Sequence, residues 1–85
     1  MDFTRATQLE LEALHSIHAA AGLMWHEALE ARQEAFAAWA DDPSVETFTA
    51  RNLAEAREQA LWAMSTRISE LIQEAYDAMI KELQS

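Results

Sequence analysis

Proline and glycine are almost absent from this chain of 85 residues, which holds one of each, Pro43 and Gly22. Sandwiches and barrels need several turns marked by these residues, so an all-β fold is excluded. Pro43 disfavours helix at the residue before it and suits the first turn of a new helix. The sequence therefore predicts an all-α chain with a single break, at the Asp41-Asp42-Pro43 segment.

The position of this break predicts one helical-hairpin domain over residues 1–85. We expect helix 1 over about residues 3–40, a turn at 41–43, and helix 2 over about residues 43–83. A connection this short makes the helices antiparallel neighbours. Asp42 is the expected N-cap of helix 2, because its carboxylate can accept hydrogen bonds from the free N–H groups of the first turn. A reciprocal capping box is not expected from Asp42.

Helix 1 carries small and apolar residues at alternating steps of three and four, which predicts a heptad core stripe. The stripe consists of Leu14, Ile17, Ala21, Met24, Ala28, Ala31, Ala35 and Ala38. Its alanines allow a partner helix to approach closely. Gly22, which follows three alanines, is expected to mark a close helix–helix contact, with a kink as the alternative.

Helix 2 carries two apolar stripes side by side. The first consists of Val45, Phe48, Leu53, Ala56, Ala60, Met64, Ile68, Leu71, Ala75, Met79 and Leu83, and the second of Trp62, Ser65, Ser69, Ile72, Tyr76 and Ile80. Two helices alone cannot bury so broad an apolar surface, and soluble monomers rarely expose one. We therefore expect self-association into a homodimer, as a four-helix bundle, or a higher oligomer, or cover by another protein or a hydrophobic surface.

Large apolar side chains on both helices are the expected association face. They are Leu14, Ile17, Met24, Trp25, Phe36, Trp39, Trp62, Ile68, Ile72 and Tyr76. Tryptophan is enriched at binding hot spots, and in a homodimer the packing and binding roles of Trp25, Trp39 and Trp62 coincide. Trp62→Ala or Ile72→Asp is expected to dissociate the assembly.

The chain is acidic, with 15 Asp and Glu against six Lys and Arg and a net charge of −9. Direct nucleic-acid binding needs clustered cations, so it is not expected. No run reaches the roughly 18 apolar residues of a membrane span, and no targeting segment precedes the first helix, so a cytoplasmic protein is expected. The acids expected on solvent-facing helix surfaces include Glu10, Glu27, Glu30, Glu34, Glu55, Glu58, Glu70 and Glu74.

The histidines are the residues that suggest a metal site, since the chain has no cysteine. Glu12 and His15 have the Glu-x-x-His spacing of di-metal helical bundles, and His18 lies three residues further on. Glu12 and His15 fall beside the helix 1 stripe, so we expect them at the boundary of the core and expect no metal or cofactor. Phosphate loops and zinc-protease motifs are also absent, and two helices offer no cleft, so no enzyme is expected.

Three segments resemble phasins, the helical proteins that coat bacterial polyhydroxyalkanoate granules. They are Ala28–Phe36, the run Asn52–Ala60 in the helix that Pro43 begins, and Arg67–Glu70. The resemblance extends over roughly residues 14–83. It implies a non-enzymatic protein whose apolar helix faces lie on a hydrophobic surface, and it carries no catalytic residues. Amphipathic helices exchange self-association for such a surface readily.

Two other functions remain open at this point. The high negative charge would suit a small acidic inhibitor or adaptor of the phage anti-defence type, which binds a basic protein partner through salt-sensitive contacts. The Glu12, His15 and His18 spacing would suit a metal-binding helical bundle.

Overall fold

The computed structural model describes the backbone of residues 3–84 and the side chains of residues 8–84. It contains two helices, α1 over Phe3–Asp41 and α2 over Val45–Gln84, and the described residues form no strand. The hairpin is a thin rod, 62 Å long and 14–16 Å across in its Cα positions. The ends of the predicted domain, at residues 1, 2 and 85, lie outside the described residues.

The two helices run antiparallel, because early residues of α1 contact late residues of α2. His15 contacts Tyr76 near the open end of the hairpin, and Phe36 contacts Arg51 near the turn. The predicted all-α antiparallel hairpin is confirmed. Its thinness matters for function, since each helix has only one neighbour to cover it.

The first helix ends one residue later than predicted, at Asp41. The Asp42 N–H still donates to the Ala38 carbonyl at 2.9 Å, and this bond closes the last turn of α1. Pro43 follows at once and disfavours helix at Asp42, so the chain leaves the helix here.

The second helix begins at Val45, with Ser44 as its N-cap, so the prediction of Asp42 as the cap is wrong. The Thr47 N–H donates to Ser44 Oγ at 3.1 Å, and the Ser44 N–H donates to Thr47 Oγ1 at 2.9 Å. This reciprocal pair is a capping box with threonine at the third helical position. The backbone N–H groups that need a cap are those of the first turn of α2, which begins at Val45. The Ser44 side chain is within reach of them. Asp42 takes part through its carbonyl, which accepts from Thr47 Oγ1 at 2.8 Å.

An unbroken heptad pattern relates the residues that lie between the helices. In α1 these are Leu11, Leu14, His18, Ala21, Trp25, Ala28, Arg32, Ala35 and Trp39. In α2 they are Thr47, Arg51, Ala54, Glu58, Leu61, Ser65, Ile68, Ile72, Ala75, Met79 and Glu82. We assign heptad positions a to g so that Trp25 and Glu58 both occupy position a. The residues that lie between the helices then occupy positions a and d.

The predicted stripe of α1 is right at position d and wrong beside it. Leu14 and the alanines at positions d lie between the helices, with Ala21 and Ala28 only 2% and 1% exposed. In contrast, Ile17 is 52% exposed and Met24 46% exposed. Ala38 is exposed as well, and Ala31 is only half-buried.

Two rows flank the position d alanines at equal angles, which explains this error. Hydropathy favours the row of Ile17 and Met24, whereas the helices meet along the row of Trp25, Arg32 and Trp39. The second row brings hydrogen-bonding and aromatic side chains against matching groups on α2, as described below.

The core of α2 takes residues from both predicted stripes. Ile68, Ala75 and Met79 of the first stripe and Ser65 and Ile72 of the second lie between the helices. Leu71 of the first stripe is half-buried. The remaining members of the two stripes are exposed, and they are Val45, Phe48, Leu53, Ala56, Ala60, Met64 and Leu83 together with Trp62, Ser69, Tyr76 and Ile80.

Gly22 lies in open space, so the predicted close helix–helix contact is wrong. A Cβ atom built on Gly22 would have no neighbouring atom within 4 Å, and its φ angle is not positive. The helix α1 also continues through it as a single element. Gly22 occupies position e, beside the core row, where it leaves a hollow in the surface of the hairpin.

Candidate association surface

A buried carboxylate lies at the centre of the contact between the helices. Glu58, predicted on a solvent-facing surface, is 9% exposed and accepts a hydrogen bond from Trp25 Nε1 at 2.8 Å. An Arg32 guanidinium nitrogen lies 3.9 Å from its second carboxylate oxygen. A buried charge needs partners of this kind, and the prediction failed because the partners come from the other helix. Glu55, also predicted outside, is half-buried.

A guanidinium group among aromatic rings occupies the turn end of the hairpin. The Arg51 Cζ lies 4.6 Å from the ring centre of Phe36, 4.7 Å from Trp39 and 5.6 Å from Phe48. Its buried Nε has no hydrogen-bond partner among the described residues. Attraction between the guanidinium cation and the faces of these rings compensates for the missing hydrogen bond at Nε.

One lateral surface of the hairpin, which we call the aromatic side, consists of the residues at positions e and b. Its large aromatic members include His15, Phe36, Phe48, Trp62 and Tyr76, and its exposed aliphatic members include Val45, Ile80 and Leu83. His15 Nε2 lies 3.2 Å from the Tyr76 hydroxyl, and the Trp62 ring packs 5.0 Å from the Trp25 ring. Trp62 nevertheless remains 55% exposed, so much of an indole ring projects from this side.

Two surface grooves of the described hairpin lie along the aromatic side. The larger has a volume of about 620 Å³ and is lined by His18, Trp25, Trp62, Ser65, Thr66, Ser69, Glu70 and Gln73. The smaller, of about 410 Å³, is lined by Gln8, Leu11, Glu12, His15, Tyr76 and Met79. The larger groove is lined on the α1 side by His18 and Trp25, the two core residues that flank Gly22 in sequence. It therefore combines a projecting indole with an adjacent depression bounded by small hydroxyl residues.

The opposite lateral surface, which we call the aliphatic side, consists of positions g and c. Ile17, Met24, Leu53 and Met64 are its exposed large apolar residues. Within residues 8–84, no aromatic residue occupies a g or c position. The two sides of the hairpin thus differ in chemistry although both expose apolar area.

Charged groups are unequally divided between the two sides. Position b of α2 holds no charge and consists of Val45, Asn52, Gln59, Thr66, Gln73 and Ile80. Positions c of the two helices, on the aliphatic side, hold Glu27, Glu34, Asp41, Glu46, Arg67, Glu74 and Lys81. Arg67 forms ion pairs with Glu70 at 3.1 Å and with Glu74 at 3.5 Å. The Glu70 hydrogen bond, followed by attraction to Glu74, raises the pKa of Arg67 above its ordinary value.

The predicted association residues do not form one continuous face. Ile68 is buried inside the hairpin, and Leu14, Trp25, Phe36, Trp39 and Ile72 are half-buried between or beside the helices. Of the four exposed members, Trp62 and Tyr76 lie on the aromatic side, and Ile17 and Met24 on the aliphatic side. Phe48 and Met64 are exposed apolar residues that the predicted face omitted. The heptad lettering would have found both, because it places them at positions e and g.

The candidate metal ligands are not gathered into a site. His15 contacts Tyr76, Glu12 lines the smaller groove, and His18 lines the larger one. Within residues 8–84, no group of three or more potential ligands lies close enough to hold an ion. His26 packs against Trp25 with ring centres 4.9 Å apart.

Comparisons of the chain with protein-family models, with curated proteins and with solved structures find no match. Over the described residues, neither helix contains a stretch that is long and apolar enough to cross a membrane. The fold and its surfaces define a long helical hairpin with a partly polar core and two exposed apolar sides of different chemistry.

Proposed function

We propose that this chain is a non-enzymatic association protein that covers its exposed apolar residues by binding further copies of itself, in the simplest case as a four-helix bundle of two hairpins. The observation that carries the proposal is the number of large apolar side chains left in solvent. They are Leu9, Ile17, Leu23, Met24, Val45, Phe48, Leu53, Trp62, Met64, Tyr76, Ile80 and Leu83.

The accessible surface of the hairpin supports this proposal quantitatively. It is 6220 Å² for a chain of 9.6 kDa. A compact monomer of that mass exposes roughly 5,100 Å². The excess of about 1,100 Å² exceeds the roughly 800 Å² that each partner buries in an interface of standard size. One such interface would bring the exposed surface of each hairpin to about 5,400 Å², close to that of a compact monomer of the same mass.

The free energy gained would come mainly from burying the exposed rings and long aliphatic chains. Full burial of one large apolar side chain contributes about 1.5–3 kcal/mol. Several are available on each side of this hairpin, and an interface must also offset the entropy lost on association. No catalytic step and no cofactor form part of this proposal.

Sedimentation equilibrium at micromolar concentration tests self-association. We expect wild type to sediment as two or more copies, and Trp62→Ala to weaken association at least about tenfold, which corresponds to about 1.4 kcal/mol. Leu53→Ala, an apolar truncation on the opposite side at a residue 68% exposed against 55% for Trp62, is the matched control and should leave the mass unchanged. Ile72→Asp is unsuitable here, because Ile72 lies between the two helices of one hairpin.

A wild-type protein that sediments as a single folded hairpin at micromolar concentration would contradict the proposal. Equal dissociation by Trp62→Ala and Leu53→Ala would leave self-association standing and would contradict only the special role of the exposed indole. Circular dichroism of each variant would establish that its helices remain intact.

A second candidate function follows from the aliphatic side. An interface on one side of the hairpin leaves the other side uncovered, and Ile17, Met24 and Met64 would then remain free to lie on a hydrophobic surface. This is the phasin-like activity that the sequence resemblance implies. Binding to polyhydroxybutyrate particles tests it: Met24→Glu should reduce binding, whereas Ala37→Glu, on the outer edge of α1, should not. Equal binding by both variants would contradict this function.

A further inference from the structure

We infer that the second copy binds to the aromatic side, with the two rods antiparallel and related by a two-fold axis that passes near Gly22 and Thr66. This inference rests on the proposed self-association and specifies its surface and symmetry. In this dimer, the Trp62 indole of each copy occupies the larger groove of the other.

The aromatic side is complementary to itself, as a two-fold interface requires. Trp62 projects beside a groove whose wall includes Ser65, Thr66 and Ser69. An axis perpendicular to the rod at this level places Trp62 of each copy against the groove of the other. The Trp62 indole of each copy then packs against the small residues of the other copy's groove. Each copy supplies one projecting indole and one groove.

The position of the groove along the rod fits such an axis. Gly22 is the central residue of α1, which spans Phe3–Asp41, and the centre of α2 lies at Met64 and Ser65. Cross-helix contacts place these centres at the same level, since Trp25 packs on Trp62 and His15 on Tyr76. Two rods joined at their midpoints overlap along their full length and bury the largest possible area.

The distribution of charge favours the aromatic side over the aliphatic side. Each copy carries a net charge of −9, so close approach costs electrostatic energy. Interface cores are depleted of charged residues. On the aromatic side, position b of α2 is uncharged throughout, and the acids at positions e and b are Glu12 and Glu55. Glu70, at the edge of the larger groove, is paired with Arg67. The aliphatic side would instead bring the position c acids of α1, which are Glu27, Glu34 and Asp41, close to the α1 helix of the other acidic copy.

A two-fold axis along the rods is the other symmetric arrangement, and it pairs the side chains less well. In that case α1 of one copy lies on α2 of the other, so Trp62 meets Leu29 and Gly22 meets Ser69. In that arrangement two large side chains, Trp62 and Leu29, would oppose each other. Close packing therefore favours the antiparallel arrangement.

Single-cysteine cross-linking tests the inference without background, because the chain has no cysteine. In the proposed dimer, Thr66 lies near the axis and faces Thr66 of the second copy. Oxidation of Thr66→Cys with diamide should give a disulfide-linked dimer, which needs Cα atoms within about 7 Å. Met64→Cys, exposed on the aliphatic side about 3 Å along the rod from Thr66, is the matched control and should remain uncoupled.

The outcomes separate this inference from the proposed self-association. Covalent dimer from Thr66→Cys and little from Met64→Cys supports the inference. If both reduced variants sediment as dimers but Thr66→Cys does not couple, or Met64→Cys couples better, the surface or the axis is wrong while self-association stands. If wild type and both reduced variants sediment as single hairpins, self-association fails and the inference fails with it.

Discussion

Trp25 donates its indole N–H to the buried carboxylate of Glu58 across the hairpin, with 2.8 Å between nitrogen and oxygen. The same indole packs against Trp62, whose ring projects from the aromatic side. One hydrogen bond thus sets the register of the two helices and holds one wall of the larger groove. Core stability and the proposed association surface therefore depend on the same pair of residues.

Removal of the indole donor should destabilise the hairpin. Trp25→Phe leaves the Glu58 carboxylate buried without that hydrogen bond, and we expect a loss of about 1–3 kcal/mol in the free energy of unfolding. Glu58→Gln retains an acceptor oxygen and should cost less. Urea unfolding at one fixed protein concentration measures both effects.

A double-mutant cycle provides the control for this pair. Trp25→Phe and Glu58→Leu together should cost less than the sum of the single changes, with a coupling of about 0.5–3 kcal/mol. Strictly additive effects would show that the hydrogen bond does not contribute to stability.

The cap of α2 should depend on Ser44 and not on Asp42. Ser44→Ala removes the acceptor for the Thr47 N–H, and we expect a loss of about 1 kcal/mol. Asp42→Ala keeps the carbonyl that accepts from Thr47, so its effect should stay within about 0.5 kcal/mol. Thermal unfolding of the two variants compares them directly, and the reverse order of stability would refute the assignment of the cap.

Gly22 should tolerate alanine with a gain in stability. A Cβ at this position meets no atom of the hairpin within 4 Å, and alanine is favoured over glycine inside helices by about 0.5–1 kcal/mol. We expect Gly22→Ala to raise the free energy of unfolding by that amount in dilute solution, where single hairpins dominate. A decrease under those conditions would mean that Gly22 is needed for helix packing within one chain.

The heptad assignment of α1 predicts unequal costs for similar truncations. Leu11, at position a, is 5% exposed, whereas Leu9 is 57% exposed. We expect Leu11→Ala to cost about 2–4 kcal/mol, because it removes buried methyl groups and leaves a cavity. Leu9→Ala and Ile17→Ala should each cost less than about 1 kcal/mol. Chemical denaturation measures the three losses of stability. A larger loss for Ile17→Ala than for Leu11→Ala would show that the row of Ile17 and Met24 faces α2.

Local patterns in the sequence were sufficient for the secondary structure. Pro43 marked the break to within two residues of where α1 ends and α2 begins, because its effect on the neighbouring backbone is steric and short in range. The cap was assigned to the wrong residue, although Ser44 and Thr47 have the spacing of a capping box. That signal is also local and could have been found.

The contact surface between the helices could not be predicted in the same way. The row of Ile17 and Met24 and the row of Trp25 and Arg32 flank the same alanines with the same spacing. Hydropathy ranks each residue without its partner, so it favoured the first row. The partners of the second row come from a segment about 30 residues away in sequence, where Glu58 accepts from Trp25 and pairs with Arg32.

By itself, the sequence determined an all-α hairpin and an apolar surface too large for two helices to bury, because helical periodicity and the proline break act over a few residues. Only the tertiary structure decided which row of α1 faces α2, and therefore that Ile17 and Met24 lie on one side while Trp62 and Tyr76 lie on the other. The reason is that hydrogen bonds to a buried carboxylate and stacking of Arg51 on aromatic rings exist only when both helices are present.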